Sequence, residues 1–91
     1  MEQSQKVETR VLRNAAGRVL RLDYCLLATA EGAGCQLTAP YGLEIVLTGR
    51  ETVLREQCRN LTGSYRHALA LIHFFAEKRV LSAAMQKDLE R

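Results

Sequence analysis

The stretch "NLTGSYRHALALIHFFAEKRV", Asn60 to Val80, decides the fold, because here the chain leaves the two-residue alternation of strands for the period of a helix. Laid on a wheel at ~100° per residue from Tyr65, residues Leu71, Phe75, Ala68, Ile72, Tyr65, Ala76, Leu69 and Val80 fall within one wide apolar arc. That arc is the expected core face. Thr62 or Ser64 can cap the first turn with a side-chain oxygen, and Lys78 and Arg79 suit the negative end of the helix dipole. After "VL", Ser82 can cap a second helix over "AAMQKDLER", in which Leu81, Met85 and Leu89 form a narrow stripe. A helix this short needs docking to be stable.

Upstream, the chain reads as strands. "VETRVLR" alternates Val7, Thr9 and Val11 against Glu8 and Arg10. After the polar connection "NAAGR", the run "VLRLDYCLLATA" puts Leu20, Leu22, Tyr24 and Leu26 on one face, so the two runs are expected to form a hairpin. "EGAGCQLTAP" reads as a Gly-rich connection closed by Pro40, which cannot donate to a central ladder. "YGLEIVLTG" then points Tyr41, Leu43, Ile45 and Leu47 inward and Gly42, Glu44 and Thr48 outward. "ETVLREQCRN" carries charge on either face, as a bulged edge strand would, with a helix over Glu51 to Asn60 as the competing reading.

The expectation is an α+β domain spanning 1–91: an antiparallel sheet of about four strands in ββββαα order over 1–61, then a helical hairpin over 62–91, with one long helix and one short C-terminal helix. No apolar run reaches the ~20 residues of a spanning helix, and "MEQSQKVETR" has no apolar leader core, so neither insertion nor export is expected. Cys25, Cys35 and Cys58 are odd in number and widely spaced, which suits a reducing cytoplasmic compartment and makes the Asn60-Leu61-Thr62 sequon accidental.

No catalytic constellation emerges. His67 and His73 lie about 120° apart on the wheel, too far to share an ion as an i, i+4 pair does, and Cys58 with His67 lacks an activating positive environment. "GAG" at 32–34 is a turn without the continuation of a phosphate loop. No metal, cofactor or enzymatic activity is expected.

Net charge is +3, and ten of the thirteen basic residues are arginine. Arg10, Arg21 and Arg55 neighbour Glu8, Asp23 and Glu56 in the mixed pattern of a solvated sheet face, whereas a nucleic-acid footprint clusters its basic residues. Nucleic-acid binding through Arg10, Arg13, Arg18 and Arg21 of the first hairpin is therefore the alternative reading. The leading one rests on Phe74, which lies opposite Tyr65 on the wheel, outside the core arc, beside Ala70, Leu71, His67 and Lys78. Either the Leu81/Met85/Leu89 stripe folds back to cover Phe74, or Phe74 anchors a protein partner or a homodimer. Small size and lack of catalytic motifs favour a noncatalytic regulatory module that occludes or bridges a protein, including an inhibitor of a host defence enzyme carried by a mobile element.

The steps Tyr41-Gly42, Asn60-Leu61-Thr62 and Val80-Leu81-Ser82, set in the order strand, strand, "YGLEIVLTG", charged strand, helix and terminal helix, resemble a small bacterial domain of unknown function found widely in clostridial genomes. The similarity covers roughly the last fifty residues, and the acidic residues usual in that family's last helix are partly present as Asp88 and Glu90. The resemblance implies the same α+β order and no assigned activity, so no functional residue transfers.

Overall fold

Alternation in the two central strands places the core. In the computed structural model, which describes residues 2–31 and 36–90, β1 (Glu2–Arg13), β2 (Val19–Glu31), β3 (Gln36–Thr48) and β4 (Val53–Thr62) precede α1 (Tyr65–Lys78) and α2 (Ala83–Leu89). The strands form one antiparallel meander in sequence order. Leu20, Leu22, Tyr24, Leu26 and Ala28 of β2 and Tyr41, Leu43, Ile45 and Leu47 of β3 share one face, and they bury against Ala68, Ile72, Ala76 and Met85. The sheet therefore has a helix face and a helix-free face. Among the described residues no helix is long and apolar enough to cross a membrane.

Local chemistry sets the helix boundaries. Ser64 caps α1 by accepting the His67 amide at 3.2 Å, while Thr62 Oγ1 accepts the Ser64 amide. The helix ends where Arg79 turns left-handed at φ 50°, and the amides of Arg79 and Val80 return to the carbonyls of Ala76 and Phe75. Ser82 caps α2 in the same way. Met85 is fully buried and the Leu89 carbonyl accepts the Ala15 amide at 2.8 Å, so the short helix is held at both its middle and its end. Tyr24, buried in β2, donates its hydroxyl to the Val80 carbonyl at 2.7 Å and ties the sheet to the link between the helices.

The α1 core arc is as expected at Ala68, Ile72 and Ala76. Leu69, Leu71, Phe75 and Val80 flank it half-buried, and Tyr65 stays exposed at its rim, edge-on to Tyr41. β4 is an edge strand and not the competing helix.

Two sequence expectations are corrected by bulges. The connection read over 31–40 is mostly strand: β2 runs to Glu31 and β3 starts at Gln36, leaving the "GAG" turn and Cys35 outside the described residues. Pro40 sits inside β3, where Ala39, Pro40 and Tyr41 oppose the single residue Ala28 and no ladder amide is required of it. In β1, Val7 is the extra residue of a bulge between Lys6 and Glu8. Beyond it the alternation reverses, so Glu8, Arg10 and Leu12 pair with Tyr24, Leu22 and Leu20 on the helix face while Thr9 and Val11 turn to the other side.

A third bulge lies in β4, where Arg59, Asn60 and Leu61 oppose Gly42 alone. Asn60 takes the left-handed φ of 58° that the bend requires, a conformation asparagine tolerates better than most residues. The bend carries the β4 backbone over the helix-free side of β3, so a Cβ on Gly42 would collide with the Cys58 carbonyl oxygen and come within 3.1 Å of the Arg59 Cα.

Candidate protein-binding surfaces

On the helix-free face, cross-strand register lines up Lys6, Cys25, Glu44 and Gln57 in one row and Thr9, Asp23, Val46 and Arg55 in the next. A third row holds Val11, Arg21, Thr48 and Val53. Among the described residues no helix packs on these rows, yet Cys25, Leu27 and Val46 are buried, as are Asp23 at 4% and Glu44 at 3% exposure. Long side chains from the edges reach over the centre. Asp23 accepts a hydrogen bond from Thr9 Oγ1 at 2.7 Å, with Arg21 Nε at 3.2 Å and Lys6 Nζ at 3.8 Å. Glu44 accepts from Ser4 Oγ at 2.7 Å and Gln57 Nε2 at 2.6 Å, with Arg55 Nη1 at 3.6 Å.

Each buried carboxylate is thus matched by hydroxyl or amide donors and by cations, as burial of charge demands. Among the described residues no buried side-chain nitrogen or oxygen lacks a hydrogen-bond partner. Above this floor lies a shallow trough of about 350 Å³. Its cations Lys6, Arg21 and Arg55 remain half-exposed or more. Val11 (64% exposed), Val19 (55%) and Val53 (54%) stand at the same end of the sheet. Val11 and Val19 are diagonal neighbours, as are Val46 and Val53, and Arg21 lies between the two pairs.

Burial pushes the Cys25 thiol up; a hydrogen bond with Ser4 opposes this, the Glu44 and Asp23 carboxylates add to the rise, and Lys6 opposes it slightly. A thiol kept protonated is a poor nucleophile.

The second surface is the outer side of α1. Phe74 is 52% exposed, with the Phe75 ring centroid at 6.2 Å and the Lys78 ammonium 5.9 Å above its ring. On the same helix His67, Ala70 and Lys78 are exposed and Leu71 is half-buried. The expectation that α2 covers Phe74 is overturned. The left-handed turn at Arg79 and the tie from Tyr24 to Val80 lead α2 back to the sheet, where Met85 enters the core with Leu81 and Leu89 packed beside it.

The arginines of the first hairpin do not form one surface. Arg10 lies on the helix face, bound to Glu8 at 3.0 Å and to the Thr9 carbonyl. Arg13 and Arg21 project from the helix-free face, while Arg18 belongs to the turn at the end of the sheet. The histidines also separate: His73 Nδ1 stands 3.5 Å from Glu8, and His67 Nδ1 3.5 Å from Thr62 Oγ1. Arg10 and then His73 hold the Glu8 carboxyl below its usual range. Among the described residues no three His, Cys, Asp or Glu side chains converge as a metal site would require.

The Asp23–Glu44 floor is not legible in the sequence, where Asp23 is one of several charges interleaved with arginines. The available signal was Glu44 within the most regular apolar strand of the chain, but its burial depends on register and bulges. Comparison of the chain with protein-family models, curated proteins and solved structures gave no match.

Proposed function

We propose that this chain is a noncatalytic protein-binding module that regulates its partner by occluding or bridging it. The observation carrying this reading is the helix-free sheet face: half-exposed valines beside a floor whose polar groups are already satisfied internally. Valine suits strands wherever they lie, and here three exposed valines share one end of the face that buries Asp23 and Glu44. A surface whose buried polar groups are paired and whose apolar groups are open gains by covering the latter. The Phe74 stripe, on the other side of the sheet, is a second contact and suits bridging.

The nucleic-acid reading is weaker on this geometry. Single-stranded binders stack bases on aromatic rings, whereas Tyr24 and Tyr41 point to the helix side and Tyr65, Phe74 and Phe75 belong to α1. The test is affinity capture from the native host with the wild type, Val19→Glu and Phe74→Glu, each first checked for fold and solution mass. Loss of a captured protein with Val19→Glu, while both variants remain folded, supports the reading. Identical capture by all three, or recovery of nucleic acid alone, overturns it. A wild-type dimer that Phe74→Glu converts to a folded monomer would assign the α1 stripe to self-association.

A further inference from the structure

We infer that the partner of the helix-free face is an acidic protein segment with aliphatic side chains, seated across the Arg21–Arg55 trough. The inference rests on the proposed binding role and identifies the chemistry of the partner. Its basis is the layering of charge. The carboxylates of Asp23 and Glu44 lie almost wholly beneath the surface, whereas Lys6, Arg21 and Arg55, which they hold, present their charge to solvent together with Arg13. Glu2, a further acid at this face, is engaged by two hydrogen bonds from Arg59. An approaching partner meets cations and valines first.

The buried carboxylates also draw the cations over the floor. Arg21 Nε stands 3.2 Å from Asp23 and Arg55 Nη1 3.6 Å from Glu44, which leaves the other guanidinium nitrogens for an incoming carboxylate. A second copy of this chain is a poor occupant, because pairing the face with itself opposes cation to cation. A bare phosphate chain is a poor occupant as well, since it leaves Val11, Val19 and Val53 uncovered.

The test is an amide NMR titration of the full chain with a soluble peptide of alternating glutamate and valine, with an alternating lysine–valine peptide and a nucleic-acid oligomer as comparisons. The expected result is perturbation centred on Val19, Arg21, Val46 and Arg55. Affinity should fall on the order of tenfold in the Arg21→Gln/Arg55→Gln variant, and again as salt shortens the screening length. Arg13→Glu, which touches neither buried carboxylate and loses only an exposed bond to the Gly17 carbonyl, should weaken binding in the same direction, with retention of the wild-type amide spectrum outside that turn as the check on its fold. Equal binding of the lysine peptide, tighter binding of the oligomer, perturbations centred on Phe74, or no binding at millimolar peptide would overturn the inference. If these outcomes arise while capture from the host still depends on Val19, the partner chemistry is wrong and the binding role stands.

Discussion

Glu2 and Arg59, at the ends of opposite edge strands, meet through hydrogen bonds of 2.7 and 2.8 Å and close one end of the helix-free face. The contact depends on the β4 bulge, which swings Arg59 over Gly42. The bidentate bond to Arg59 holds the Glu2 carboxyl below its ordinary range. The favourable contribution is therefore present above the unfolded-state pKa and disappears as pH falls through the lower folded-state value. A residue-resolved NMR titration should show this depressed value, and Arg59→Gln should return Glu2 to the usual range.

Gly42 is required by close approach, since β4 backbone occupies the position of its Cβ. Gly42→Ala should destabilise the domain by about 1–3 kcal/mol, the usual cost of overpacking, and should shift amide signals of Cys58 to Asn60 most. Denaturant melts with amide spectra check both expectations. A variant as stable as wild type, with unshifted β4 signals, would remove the bulge from the account.

Tyr24 predicts an alkaline signature. Burial pushes its hydroxyl up to about 12 from 10.0, outweighing the nearby Arg10 and Arg79 charges. Between these values the unfolded chain has lost the proton that the folded chain retains, so stability falls as pH rises from the unfolded value toward the folded one. The loss is roughly 2–3 kcal/mol. Tyr24→Phe should lose about 1 kcal/mol at neutral pH with the bond to Val80, and should lack this component of the alkaline decline. Urea melts across that interval provide the comparison.

The two described thiols should differ in reactivity. Cys58 is exposed and Cys25 is buried with a raised pKa, so site-resolved alkylation of the folded protein at mildly alkaline pH should modify Cys58 first, by on the order of tenfold or more. Equal rates would mean that the floor of the helix-free face opens readily.

The regular parts of the fold were legible in the sequence because each rests on local period and chemistry. Leu20 to Leu26 and Tyr41 to Leu47 alternate cleanly, α1 repeats as a helix, and Ser64 and Ser82 cap where their hydroxyls permit. Bulges escaped that logic: Val7 reverses the alternation of β1, and Pro40 passes through a central strand because Ala28 faces three residues. The same limit hid the floor of the candidate surface. Asp23 and Glu44 become buried only when register brings Thr9, Ser4 and Gln57 beside them, a relation between strands that no single strand encodes. Phe74 was legible as lying outside the core arc, but its exposure depended on the direction of α2 after Arg79.

The most direct measurement is site-specific photo-crosslinking in the native host, with the probe placed in turn at Val19, Phe74 and the exposed control position Glu90. The expected result is a discrete protein adduct from Val19 that weakens when Arg21 and Arg55 are changed to glutamine, with none from Glu90. Absence of an adduct at Val19 while the protein is folded and expressed, or crosslinks there only to nucleic acid, would contradict it.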